Sequence, residues 1–163
     1  MTQMIRPFET PDLAQLHAIN CAGEPGVGAV SEEALAAIIS KGNCCVAENA
    51  TGQIAGFLLT LGPEAGYASK NYQWFDERYE DYIYVDRIAI APDARGGGLG
   101  TALYQHSFKQ HAGTALVIGC EVNTAPPNPG SMRFHERVGF HQVGEQAFSA
   151  DYAVAYLARR LTS

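Results

Sequence analysis

The chain has 163 residues, 47% of them apolar and 17% charged, with 11 Lys and Arg against 17 Asp and Glu and a formal net charge of −6. That length suits one domain, 1–163, and that balance suits a packed core rather than disorder. The acidity argues against a nucleic-acid partner, no apolar run approaches the ~18 residues of a membrane span, and the opening MTQMIRPFETPD has no apolar leader core, so the expected location is cytoplasmic.

Met4–Phe8 reads as a strand, and a helix follows with Thr10 as its cap and Pro11 in its first turn. Cys21–Val30, rich in glycine, reads as a loop. Ser31 opens a second helix that ends near Lys41-Gly42. Cys44–Ala47 and Ile54–Leu61 form a hairpin across Asn49–Gly52. Asn71–Glu80 is the least regular element, a short aromatic-rich helix. Tyr82–Ile90 alternates as a strand, with Ile83, Val85, Arg87 and Ala89 on one side and Tyr84, Asp86, Ile88 and Ile90 on the other.

A glycine-rich turn, Arg95-Gly96-Gly97-Gly98-Leu99-Gly100, then leads into a helix that stops at Ala112-Gly113. Ala115–Val122 is a buried strand. Asn128 caps a last helix with Pro129 in its first turn, Gly139 closes it, and Phe140–Val143 and Tyr152–Leu157 are two final strands. The order of elements gives an α/β or α+β class. Cys21, Cys44, Cys45 and Cys120 have no CxxC spacing and do not cluster with histidines, so no metal site is expected.

The glycine turn carries chemistry. Glycines let successive amides point into one concavity, and a helix start adds unpaired donors and a positive dipole end. Such a loop suits a phosphate or pyrophosphate. It lacks the Gly-Lys-Ser/Thr of a Walker A loop, and Thr101 stands where a Rossmann fingerprint needs its third glycine.

The run Ile88-Ala-Ile90-Ala-Pro92-Asp-Ala-Arg95-Gly-Gly-Gly98-Leu-Gly100 resembles motif A of the GNAT N-acetyltransferase superfamily. Asn128 through Ser131, Phe134 and His135 to Gly139-Phe140 resembles its second signature, and Ile5–Phe8 with Asp12 its usual opening. The resemblance spans nearly the whole chain. It implies a mixed, largely antiparallel sheet of about seven strands, flanked by about four helices, whose central strands splay apart around acetyl-CoA. By that resemblance Ile88, Ala89 and Ile90 contact the pantetheine arm. The loop of Arg95, Gly96, Gly97, Gly98, Leu99, Gly100 and Thr101 takes the pyrophosphate. Asn128, Ser131, Phe134 and His135 line the same cofactor site.

The implied reaction is acetyl transfer to a primary amine by direct attack. It needs a base for the amine, a donor for the oxyanion and a proton for the leaving thiolate. Glu121 is the first candidate base, because Val117–Asn123 resembles the Leu-Glu-Val-Arg strand of ribosomal-protein acetyltransferases, where the glutamate is the base. Asp86 is the competitor. His135 stands where the family has a tyrosine general acid. It is either a proton donor or a hydrogen-bonding residue, with Tyr82 or Tyr84 as the alternative donor. Cys120 should face away from Glu121, which argues against a covalent cysteine intermediate. Around Tyr72–Arg87, six aromatics accompany five carboxylates against Arg78 and Arg87. That composition suits a cationic amine, small-molecule or peptide, or equally a core face or homodimer contact. A non-catalytic CoA-binding module is the competing reading.

Overall fold

The computed structural model describes residues 4–161. Seven strands form one sheet: β1 (Met4–Pro7), β2 (Asn43–Glu48), β3 (Ile54–Leu61), β4 (Tyr82–Ile90), β5 (Val117–Ala125), β6 (His141–Ala147) and β7 (Ala153–Arg160). They lie in the order β1-β2-β3-β4-β5-β7-β6. Every neighbouring pair is antiparallel except β4 and β5, which run parallel. Five helices flank the sheet, one more than the family resemblance suggested: α1 (Leu13–Ala22), α2 (Glu32–Ile39), α3 (Lys70–Asp76), α4 (Leu99–His111) and α5 (Pro129–Arg137).

The two sheet faces hold separate cores. Leu99, Leu103, Tyr104 and Phe108 of α4 pack with Ile83, Val85, Ile118, Cys120 and Val122 on one face. Leu16 and Ile19 of α1, Leu35 and Ile38 of α2, and Tyr72 and Phe75 of α3 pack with Tyr82, Tyr84 and Tyr156 on the other. At ~1.5–3 kcal/mol for each large apolar side chain buried, both layers are needed to offset ordering the chain.

The parallel pairing of β4 with β5 covers only Tyr82↔Val117, Ile83↔Ile118 and Tyr84↔Gly119. Beyond that point both strands continue without bonding to each other, β4 remaining on β3 and β5 on β7. The result is an open V in the middle of the sheet, whose inner edges carry unpaired backbone groups.

The alternation expected along β4 breaks at its centre. The β3–β4 register passes from Thr60↔Val85 to Leu59↔Arg87, so Asp86 sits in a bulge. A bulge inserts one residue and flips the facing of all that follow. Ile83 and Val85 therefore share the α4 face with Ile88 and Ile90, while Tyr84 shares the other face with Ala89.

The helix starts follow side-chain chemistry. Ser31 accepts from the Ala34 amide, Ser69 from Tyr72 and Asn128 from Ser131. Thr10 is not a cap: a short 3-10 turn spans Thr10–Asp12, Asp12 accepts from the Glu9 amide at 2.8 Å, and Arg6 clamps the same carboxylate at 2.8 and 3.0 Å. α1 also runs on through Cys21 to Ala22, where a loop was expected.

Candidate active site

The glycine turn is built by backbone conformation. Gly96 (φ +83°) and Gly98 (φ +81°) lie in the left-handed region, which side-chain-bearing residues avoid. Gly98 is the N-cap of α4 and supplies no capping side chain. The Ala102 amide bonds the Gly98 carbonyl, so the amides of Leu99, Gly100 and Thr101 precede the first intrahelical bond and remain free for a ligand. Gly100 serves packing instead: a Cβ there would stand 2.9 Å from the Phe134 ring.

A cleft of about 860 Å³ runs from this turn into the V. Of the cofactor-binding candidates only Gly97 is not in its wall. The end of α1 at Ala22 and the segment on to Val27 also line the cleft. Arg95 beside the turn, Arg137 at the end of α5 and Glu24 beyond α1 all stand in the lining. The Ala91 amide bonds Ala55 on β3. By strand alternation the backbone groups of Ala89 also face β3, while those of Ile88 and Ile90 face the V. The Ile90 carbonyl accordingly accepts from Arg95 Nε at 3.2 Å.

Glu121 sits on β5 two residues past the end of the β4–β5 pairing. Its neighbours Cys120 and Val122 enter the α4 core, so Glu121 points to the other face, as strand alternation requires. The Tyr84 hydroxyl donates to it at 2.6 Å from across the V. Burial, reinforced by Asp86, pushes the Glu121 carboxyl up to about 7, against the pull of the Tyr84 bond and Arg87. The Tyr84 phenol is itself held well above its usual range by burial and by Glu121, so it stays a donor. Asp86 is engaged elsewhere: Arg87 Nε donates to it at 2.6 Å, and its side chain is 4% exposed.

His135 lies on α5 and lines the cleft, yet it is 4% exposed. Nδ1 meets the Ser131 carbonyl at 2.8 Å, and Nε2 meets the Tyr104 hydroxyl at 2.8 Å. A carbonyl only accepts, so Nδ1 carries the proton and Nε2 accepts from Tyr104. Burial holds the imidazole below its ordinary range, against the opposing effect of the Ser131 bond. A neutral ring with both nitrogens satisfied has no proton to give a thiolate. Of the two roles the sequence left open, this geometry fits the hydrogen-bonding one.

Asn128 spends its side-chain oxygen on the Ser131 amide, and its Nδ2 lies close to Gly26, joining the head of α5 to the loop across the cleft. Of the alternative tyrosines, Tyr82 donates to Asp76 at 2.6 Å. Among the described residues no group of three or more His, Cys, Asp or Glu is placed to hold a metal, and no helix is long and apolar enough to cross a membrane. The residues missed by sequence reasoning are Asn20, Tyr104 and the guanidinium of Arg87. Each depends on a partner far away in the chain.

A turn that gathers amides at a helix start, opening into a splayed parallel strand pair, makes an α/β protein with a ready-made phosphate site. The sequence profile of the acetyltransferase (GNAT) family matches residues 13–140, and the chain belongs to that family. No curated protein matches it by sequence. Solved structures share its fold at low identity. Ard1 from Thermoplasma volcanium has a TM-score of 0.79 and 16% identity, covering 100% of both chains. A ribosomal-protein alanine N-acetyltransferase from Escherichia coli has 0.76 and 18%, covering 99% of this chain and 96% of that one. A ribosomal-protein alanine N-acetyltransferase from Brucella melitensis has 0.72 and 20%, covering 96% and 99%.

Proposed function

We propose that the chain transfers the acetyl group of acetyl-CoA to a primary amine by direct attack in a ternary complex, with Glu121 as the base. The observation that carries this reading is the buried Glu121 carboxyl, raised to about 7 just beyond the point where β4 and β5 part. A base poised near neutrality is what removing a proton from an ammonium requires.

The free amides at the head of α4 and the cationic lining bind the pyrophosphate, and the pantetheine arm lies along the V-facing backbone of Ile88 and Ile90. Glu121 takes a proton from the acceptor ammonium. The neutral nitrogen attacks the thioester carbon, and the Ile88 amide stabilises the oxyanion as the tetrahedral adduct forms. The C–S bond then breaks, and the thiolate takes the second proton lost by the nitrogen. The products are an N-acetyl amine and CoA thiol, with one proton left on Glu121. His135 is no part of this transfer; it fixes α5 against α4.

The test is thiol release from acetyl-CoA with a panel of primary amines, parent against Glu121→Gln. Turnover that rises with pH through about 7 in the parent, and collapses in the variant, supports the reading. CoA binding with no turnover of any amine returns the chain to the class of CoA-binding modules.

A further inference from the structure

Asn123 lies half-buried on β5, in the lining of the cleft. Its backbone carbonyl accepts from the Asn128 amide, and its side chain has no hydrogen-bond partner among the described residues. The neighbouring polar side chains of the lining are engaged within the fold. Asn128 gives its oxygen to the Ser131 amide, His135 has both ring nitrogens bonded, and the Ser131 hydroxyl lies 3.4 Å from His135 Nδ1. A carboxamide left open in a cleft offers both donors and an acceptor to whatever fills it.

Its place on the strand narrows what that is. Val122 enters the α4 core, so Asn123 shares the opposite face with Glu121. Its pairing with Val154 of β7 agrees, since Val154 is buried in the same core as Tyr84. The last paired residues of the V are Tyr84 on β4 and Gly119 on β5. Ile88 stands as far beyond Tyr84 in the chain as Asn123 stands beyond Gly119, so the two lie at a similar depth on the two arms. Ile88 and Ile90 line the same cleft, with V-facing backbone groups.

We propose that Asn123 binds the pantetheine arm of acetyl-CoA from the β5 side, taking the amide group that β4 leaves unpaired. The proposal rests on the reading of the V as the cofactor's. A trans secondary amide points its N–H and its C=O to opposite sides. When an arm lying along β4 pairs one of these with Ile88 or Ile90, the other is turned toward β5. Burying that group without a partner is costly. The Asn123 carboxamide meets it whichever group it is, Oδ1 accepting from an N–H or Nδ2 donating to a carbonyl.

The test is titration of the parent, Asn123→Val and Asn123→Ala with CoA and with ADP, which carries the pyrophosphate without the arm. In both variants CoA affinity is expected to fall roughly fivefold to tenfold, with ADP affinity within about twofold of the parent and the ligand-free melting temperature unchanged. In steady state the KM for acetyl-CoA rises by the same factor while kcat and the acceptor KM hold. Parental CoA affinity in both variants overturns the assignment and leaves the cofactor reading standing. So does an equal loss of CoA and ADP affinity, which marks a disturbed turn rather than a lost contact to the arm. A raised acceptor KM with parental CoA affinity moves Asn123 to the acceptor and overturns it as well. A parent that binds neither CoA nor ADP sinks the cofactor reading itself.

Discussion

The two sides of the V are built by different means. The glycine turn and the head of α4 present backbone amides set by local conformation, with two glycines at positive φ and a helix start. The opposite side is built from side chains: Glu121 from β5, Tyr84 and Arg87 from β4, Asn20 from α1 and the loop beyond it. A backbone site recognises what all its ligands share, a phosphate. A side-chain site is free to differ in whatever it accepts. Removing one group from the backbone side should therefore weaken binding and leave chemistry intact, and removing one from the other side should do the reverse.

The sharpest test of that contrast is Glu121→Gln. It keeps volume and removes the proton acceptor, so kcat should fall by ~10²-fold or more. Stability should move the other way. The folded-state pKa of Glu121 is raised from 4.5 to about 7, so the folded protein holds a proton that the unfolded chain releases. Stability from this group is complete below the unfolded value and is lost as pH rises through about 7. The glutamine variant should melt higher than the parent at pH 8, with the gap closing toward pH 5. A variant that turns over like the parent at neutral pH passes the role to Asp86 or solvent.

On the backbone side, Thr101→Asp is the cleaner probe. Thr101 is exposed in the first turn of α4, where a carboxylate favours the helix dipole. Opposite a pyrophosphate the same charge repels. CoA affinity should fall about tenfold or more while the ligand-free melting temperature holds or rises. Gly98→Asp and Gly100→Asp confound the question, the first by backbone strain and the second by collision with Phe134. Isothermal titration with CoA decides it: parental affinity would remove the phosphate from this helix start.

A third probe sits between the two strands. Tyr84→Phe deletes the donor to Glu121 without moving its ring. The bond favours the carboxylate, so its loss should raise the Glu121 pKa further. A hydrogen bond to a charged group is worth ~1.5–3 kcal/mol, and one pKa unit is ~1.4 kcal/mol. The acid limb of kcat/KM should move up by about one unit. An unmoved limb would mean that the limb reports another group.

The two sides were also unequally legible. The glycine turn, the caps at Ser31 and Asn128 and the closing Gly139 are local signals, because short runs of residues set their backbone. The same locality made motif A recognisable. Glu121 was readable as a strand position and, by resemblance, as the candidate base; that Tyr84 reaches it depends on β4 and β5 pairing for three residues and then parting. The facing of Arg87 was misread because period-2 alternation assumes an unbroken ladder, and the bulge at Asp86 has no sequence mark of its own. Thr10 looked like a cap by residue type, but the preceding Arg6 had fixed Asp12 and moved the start to Glu9. β6 and β7 extended well beyond their apolar cores, because cross-strand pairing carries polar residues such as Glu145 and Gln146 along with it.

His135→Phe should have the smallest effect on turnover, and its value lies in what stays unchanged. The ring is neutral, with Nδ1–H on the Ser131 carbonyl and Nε2 accepting from Tyr104. If the residue only locks α5 to α4, kcat should remain within about twofold of the parent. Stability should drop by ~1–3 kcal/mol, since the buried Tyr104 hydroxyl is left without a partner. Adding Tyr104→Phe removes the orphan as well. The double variant should then recover part of the loss, because two apolar rings in place of a bonded pair cost less than one unpaired polar group. The pH dependence has a definite sign. Burial depresses the His135 pKa below 6.5, so the unfolded chain binds a proton that the fold excludes, and parental stability declines as pH falls below 6.5. The phenylalanine variant lacks that decline, so its deficit against the parent should narrow in acid. A large fall in kcat with parental KM for acetyl-CoA would instead mark His135 as a proton donor and place chemistry on the helix side of the V.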